Sequence, residues 1–194
     1  MRPPRAIGPV RRCRAVWAAA LGLSLAPARA RGDDPRARRE LFFGLAVGGG
    51  VAWTEHPEVS TDPRAGVTWD IVFGWRLAER WALSVALTTW QTTFLGTPYH
   101  LHTLAPRVEL NPLGREGPFL LGGFGLGMVD GDVSKRAGLA VTSAAGWRWG
   151  LGRGVTLSAQ AGILAQWDVL FGDGGRAVEP FGALELRFHG RIVP

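Results

Sequence analysis

Cysteine is almost missing from this chain, and past its first 30 residues there is none: Cys13 is the single example. A disulfide, a thiolate nucleophile and a Cys-ligated metal are therefore excluded from the rest of the sequence. Cys13 lies among arginines and lacks the small and apolar residues that precede a lipoprotein cleavage cysteine. Export without disulfides fits a periplasmic or outer-membrane destination. It argues against a small disulfide-stapled secreted scaffold.

An apolar run of spanning length is also lacking. Ala15 to Ala26 (AVWAAALGLSLA) has about 12 residues, where a membrane helix needs about 20. It follows a basic stretch, Met1 to Arg14, and precedes Ala28-Arg29-Ala30, with Ala26-Pro27-Ala28 as a second small-residue site. These are the three parts of a secretory signal, so residues 1–30 are expected to be a signal peptide that is removed.

Excess positive charge is lacking too, despite a formal net charge of +6. Six of the 22 basic residues fall in 1–30, which hold no acid, leaving 16 basic against 16 acidic residues. With the leader cut, no basic face remains for phosphates, so nucleic acid is excluded as a partner.

What the sequence does hold is alternation. After a short charged lead-in, 31–40, period two dominates 41–190, in segments of about 10 residues separated by turn residues. Leu41, Phe43, Leu45, Val47, Val51 and Trp53 oppose Phe42, Gly44, Ala46, Gly48, Gly50 and Ala52. Val67, Trp69, Ile71, Phe73 and Trp75 oppose Thr68, Asp70, Val72, Gly74 and Arg76. Trp81, Leu83, Val85 and Leu87 oppose Ala82, Ser84, Ala86 and Thr88. Three further segments behave alike, around 139–151, 155–163 and 178–188. The segment near 99–110 changes phase at Pro106, where a bulge or bend is expected. The Gly-rich segment 119–129 leaves its phase open. The expected fold is all-β, an eight-stranded antiparallel up-and-down transmembrane β-barrel.

Alternation by itself does not say which face is outside, because a lipocalin-like soluble barrel shares it. The less apolar face is mostly Gly, Ala, Ser and Thr, which suits a crowded lumen better than a wet exterior. Eight tryptophans follow the leader. Trp53, Trp69, Trp90 and Trp167 are expected toward an external rim. Trp75, Trp81, Trp147 and Trp149 are expected toward a periplasmic one, as membrane-interface aromatics. Tight turns at Ala78-Glu79-Arg80 and Gly152-Arg153-Gly154 are assigned to the periplasm. Longer polar links near 55–66, 129–137 and 168–176 are assigned to the exterior.

Pro118 to Gly127 (PFLLGGFGLG) and the strand closing at Phe188 carry a resemblance. Over roughly 40–190 the chain resembles the small outer-membrane barrels of Gram-negative bacteria, of OmpA/OmpX type or OmpW-like. One departure is that His189 to Pro194 follow the final aromatic. The resemblance implies outer-membrane lipids, lipopolysaccharide and the barrel-assembly machinery as partners, a monomer, and a structural, surface-interaction or narrow-channel (porin-like) role without enzyme activity or cofactor.

The phase puts Asp70, Arg76, Arg107, Glu109, Arg148, Glu185 and Arg187 inside, where they are expected to form an ion-pair cluster plugging the lower lumen. The enzymatic alternative is a lipid A-modifying deacylase or acyltransferase. It would draw on His100, His102 and Thr103, but no serine lies two residues from a histidine. Asp130 to Val141 lacks the central glycine and final glutamate of a calcium loop. The glycines at 122, 123, 125 and 127 lack dinucleotide-binding spacing. A site with catalytic, cofactor or metal chemistry is therefore not expected.

Overall fold

The computed structural model describes residues 40–55, 62–94, 97–131, 134–167 and 175–191. The expected signal peptide and most of the lead-in lie outside the described residues, as do 56–61 and 168–174 of two expected external links. Eight strands are described: β1 (Glu40–Glu55), β2 (Arg64–Arg76), β3 (Trp81–Phe94), β4 (Thr97–Leu110), β5 (Gly117–Gly131), β6 (Ser134–Gly152), β7 (Val155–Trp167) and β8 (Arg176–Arg191). Each pairs antiparallel with its sequence neighbours, and β1 pairs with β8 to close the barrel. Closure removes the unpaired edges that an open sheet would carry.

Alternation sets the two faces. Val47, Phe124, Leu126 and Leu184 point outward and are 55–60% exposed. Phe42, Ala46, Thr88, Ala105, Thr142 and Ser158 point inward and are buried. A soluble barrel would reverse this, with its large apolar residues inside.

One end of the barrel carries the β2–β3, β4–β5 and β6–β7 connections. At this turn end Leu77 and Ala78 donate to Trp81 O at 2.9 and 3.2 Å. The β6–β7 turn uses Gly154 at φ 79°, and the ladder shifts between Gly150 and Gly152. The β4–β5 connection is longer. It is anchored by Asn111 N donating to Arg80 O at 2.7 Å. The chain enters β1 and leaves β8 at this same end, where Glu40 pairs with both Arg76 and Arg191.

Three expectations need correction. Pro106 makes no bulge: the β3–β4 register runs through Val85↔Pro106 without a slip. On the β5 side, Leu104↔Leu126 and Arg107↔Gly123 keep one register. Proline lacks an N–H, but on an outward position it interrupts a ladder without displacing it. Pro180 is accommodated alike in β8, with Gly50↔Phe181 and Trp53↔Val178 in one register on either side of it. The apparent phase change in β4 has another cause: Leu101 is apolar yet faces the lumen. Finally, the link expected over 129–137 is mostly ladder, since β5 and β6 pair out to Gly131↔Ser134.

Glycine is required where long inward side chains cross a neighbouring strand. A Cβ at Gly123 would sit 2.8 Å from Arg107 Cγ, and one at Gly44 would sit 2.6 Å from Glu185 Oε1. The Gly-rich strands β1 and β5 are thus the floors over which side chains from the strands on either side meet.

Candidate functional site

The lumen is the place where chemistry concentrates, and it is layered. At the turn end, Glu109 on β4 accepts from Arg148 Nη1 and Nη2 at 2.7 and 2.9 Å. Arg187 Nη1 lies 2.7 Å from the second Glu109 oxygen. Arg187 also bonds Glu185 two residues away on β8, through Nε and Nη2. Asn111 ties in by donating to Glu109 at 2.9 Å and accepting from Arg148 at 3.1 Å. All five side chains are buried. The guanidiniums are also stacked on rings: Arg148 lies 4.7 Å from the Phe119 centroid and Arg187 4.6 Å from that of Phe42. Such stacking stabilises a cation that burial has stripped of water.

Arg107 is separate from this network. It donates to Asp70 Oδ2 at 3.1 Å and to Thr88. Arg76 is separate as well, at the mouth, donating to Glu79 O at 2.9 Å and lying 3.7 Å from Glu40. Arg115 also approaches Glu40, at 3.3 Å. The seven charges expected to cluster therefore lie in three groups. Arg148, Glu109, Arg187 and Glu185 come together, Asp70 pairs with Arg107, and Arg76 faces the mouth.

The loop end is apolar. Ala52, Trp90, Leu101, Val129 and Ala177 form one buried cluster, with Tyr99 packed against it. The Trp90 and Tyr99 rings meet edge to face at 6.4 Å. Trp90 was expected at the external rim and is instead inside the lumen, 1% exposed. It is an even residue of β3, and even residues of that strand face inward. Its ring fits because Gly66 has no side chain: a Cβ there would lie 2.5 Å from Trp90 Cε2.

The other tryptophans lie on the outward face. Trp81, Trp147, Trp149 and Trp167 are exposed, and Trp53, Trp69 and Trp75 are half-buried. Trp75, Trp81, Trp147 and Trp149 are toward the turn end, and Trp53 and Trp167 toward the loop end. Trp69 departs from its expected rim position. It sits near the middle of β2, paired with Val47 and Thr89, because β2 starts at Arg64 rather than at Val67.

Two polar residues central to the lumen escaped the sequence reading. Asn111 closes the lower network. Glu179 on β8 is fully buried and accepts from Thr68 Oγ1 at 2.7 Å, across β1. Period two carried back from Arg187 and Glu185 through Phe181 would have found Glu179. His100 and His102 lie on the outer face with rings stacked at 5.6 Å, and His102 Nδ1 is 3.0 Å from Thr89 Oγ1. Among the described residues no group of three or more His, Cys, Asp or Glu is placed to hold a metal.

No protein-family model matches the chain. No curated protein sequence matches it either. Solved structures do. Neisserial surface protein A superposes with a TM-score of 0.55 at 16% identity, over 75% of this chain and 96% of that one. Ail, the attachment invasion locus protein of Yersinia pestis, solved with the heparin analogue sucrose octasulfate, gives 0.51 at 11%, over 78% and 99%. The same protein solved without that ligand gives 0.50 at 10%, again over 78% and 99%. At these identities the likeness is one of fold, and that fold is the closed eight-stranded antiparallel barrel of small outer-membrane proteins.

Proposed function

We propose that this chain is an integral outer-membrane barrel with a plugged lumen, serving the envelope through its structure and its loop-end surface rather than as a pore or an enzyme. The observation that carries the reading is the buried network of Arg148, Glu109, Arg187 and Glu185 across the turn end of the lumen. Those side chains are buried and bonded to one another across the lumen, and moving any of them would strand a buried charge, which costs several kcal/mol. The apolar cluster of Trp90, Leu101 and Val129 supports closure at the other end.

The outward apolar face supports a lipid environment, with lipopolysaccharide and outer-membrane lipids as neighbours and the turn end in the periplasm. Trp53 and Trp167 toward the loop end and Trp75, Trp81, Trp147 and Trp149 toward the turn end would then lie at the two membrane interfaces. Export by the leader 1–30, insertion by the barrel-assembly machinery and a monomeric state complete the proposal. A non-enzymatic role is favoured by the rim histidines, since His100 and His102 stack on each other on the outer face and His102 bonds Thr89, with neither a serine nucleophile nor an acid in these contacts.

Planar-bilayer recordings of the refolded protein test the central claim. The expected result is an electrically silent bilayer, while discrete conductance steps from the wild type would overturn the plugged reading. Fractionation and heat-modifiable gel migration test the location, and recovery as a soluble protein would overturn it.

A further inference from the structure

The outward face is apolar along most of its height, but one patch toward the loop end is polar. His100 and His102 are two apart in β4, so the strand puts both rings on one face. The register then sets Gln91 and Asp130 on either side of His100, and Thr89 and Met128 on either side of His102. Directly opposed side chains on one face have Cβ atoms about 4.5–5.5 Å apart. Two imidazoles, a carboxylate and a thioether are thus gathered on two neighbouring strands, and all of these side-chain types ligate metals.

The histidine pair is arranged for chelation. Its rings are 10° from parallel, with centroids 5.6 Å apart. Both residues are half-buried and open to the outside. Thr89 Oγ1 lies 3.0 Å from His102 Nδ1. That bond fixes the ring and leaves Nε2 as the coordinating nitrogen, as a second group does for most metal-binding histidines. Asp130 is the acid whose charge acts on His102, and its field draws a cation toward the rings.

We propose that His100 and His102 chelate one borderline divalent cation on the outer wall of the barrel. Imidazole suits copper, zinc and nickel, and copper(II) binds such donors tightest. Metal–nitrogen bonds of about 2.0–2.1 Å require the two nitrogens to come within roughly 4 Å of each other, which a small rotation of each ring achieves. Among the described residues no third His, Cys, Asp or Glu completes the pair as it stands. Water therefore fills the remaining positions, and Met128 or Asp130 joins by a rotamer change. The outer wall makes the site independent of the plugged lumen.

Copper(II) is the probe. The full chain without its leader is refolded in detergent and titrated near neutral pH, in a buffer that does not bind metals. Calorimetry should show a site on the wild type that zinc competes for and excess magnesium does not. His100→Asn and His102→Asn should each weaken that site by about tenfold or more, since one imidazole then holds the ion alone. The double variant should lose it. Heat-modifiable gel migration confirms that the variants fold, as outward-facing residues should allow. Pulsed electron paramagnetic resonance of the copper-loaded wild type should show nitrogen couplings from two imidazoles, and it reads the site without any variant. Equal copper binding by the wild type and the double variant overturns the proposal, because the copper then sits elsewhere. Displacement by magnesium, or coupling to fewer than two imidazoles in the wild type, overturns it as well.

Discussion

Glu109 on β4 and Arg148 on β6 are bonded oxygen to nitrogen twice, at 2.7 and 2.9 Å, although β5 runs between their strands. The bridge passes inside Phe119, whose ring lies 4.7 Å beneath the guanidinium. It ties two non-adjacent strands together through the lumen.

Glu109→Ala should therefore be among the most damaging single changes in the lumen. It leaves Arg148 with only the neutral Asn111 oxygen and Arg187 with only Glu185. Stranding a buried partner costs about 3–5 kcal/mol. Ser158→Ala is the contrast, because its hydroxyl lies 3.5 Å from Glu185 and should contribute about 1 kcal/mol or less. Denaturant unfolding in detergent checks both, and equal midpoints for the two variants would count against the network.

Gly48 and Gly122 predict opposite tolerance. A Cβ on Gly48 would collide with the Gly182 carbonyl and lie 2.6 Å from Ala183 Cα, both backbone atoms that do not swing away. Gly122 faces outward with nothing within 4 Å. Gly48→Val should lose folded protein on heat-modifiability gels, at about 1–3 kcal/mol or more for overpacking. Gly122→Val should fold normally.

Val47 sits mid-barrel on the outward face, paired with Trp69 and Leu184, and is 60% exposed. If that face meets lipid, Val47→Arg costs about 2–4 kcal/mol, the usual penalty for a cation at mid-bilayer. Folding yield into liposomes and the unfolding midpoint there measure it. A neutral or improved outcome would mean that water bathes this face.

Tryptophan emission separates inner from outer residues. Lipids brominated on their acyl chains should quench the outward-facing tryptophans but not Trp90, which the barrel wall shields. Trp90→Phe should therefore lower total emission and leave the quenchable part unchanged. A drop in the quenchable part would place Trp90 on the outside.

The inward and outward faces of β1, β2, β3, β6, β7 and the end of β8 were legible from alternation alone. A side chain that switches face every residue needs no tertiary information to be sorted. The reading faltered at β4 and β5 for two physical reasons. Leu101 is an apolar residue at an inward position, because the loop end of the lumen is filled with hydrocarbon rather than charge. Glycine, at four positions from 122 to 127, carries no side chain to reveal a phase.

The sequence by itself determined that the chain is a run of two-faced strands with small and charged residues on one face and large apolar residues on the other. Parity also set which of the named charges share a face, although Glu179 was not among them. Only the tertiary structure decided which of them touch. Arg148 finds Glu109 two strands away, Arg107 finds Asp70, and Glu179 reaches Thr68 across β1. Those contacts depend on how the strands are staggered when β1 closes on β8, and on glycines that let side chains cross the strand between. Stagger is a property of the closed barrel, set by all eight pairings at once, and no single strand carries it.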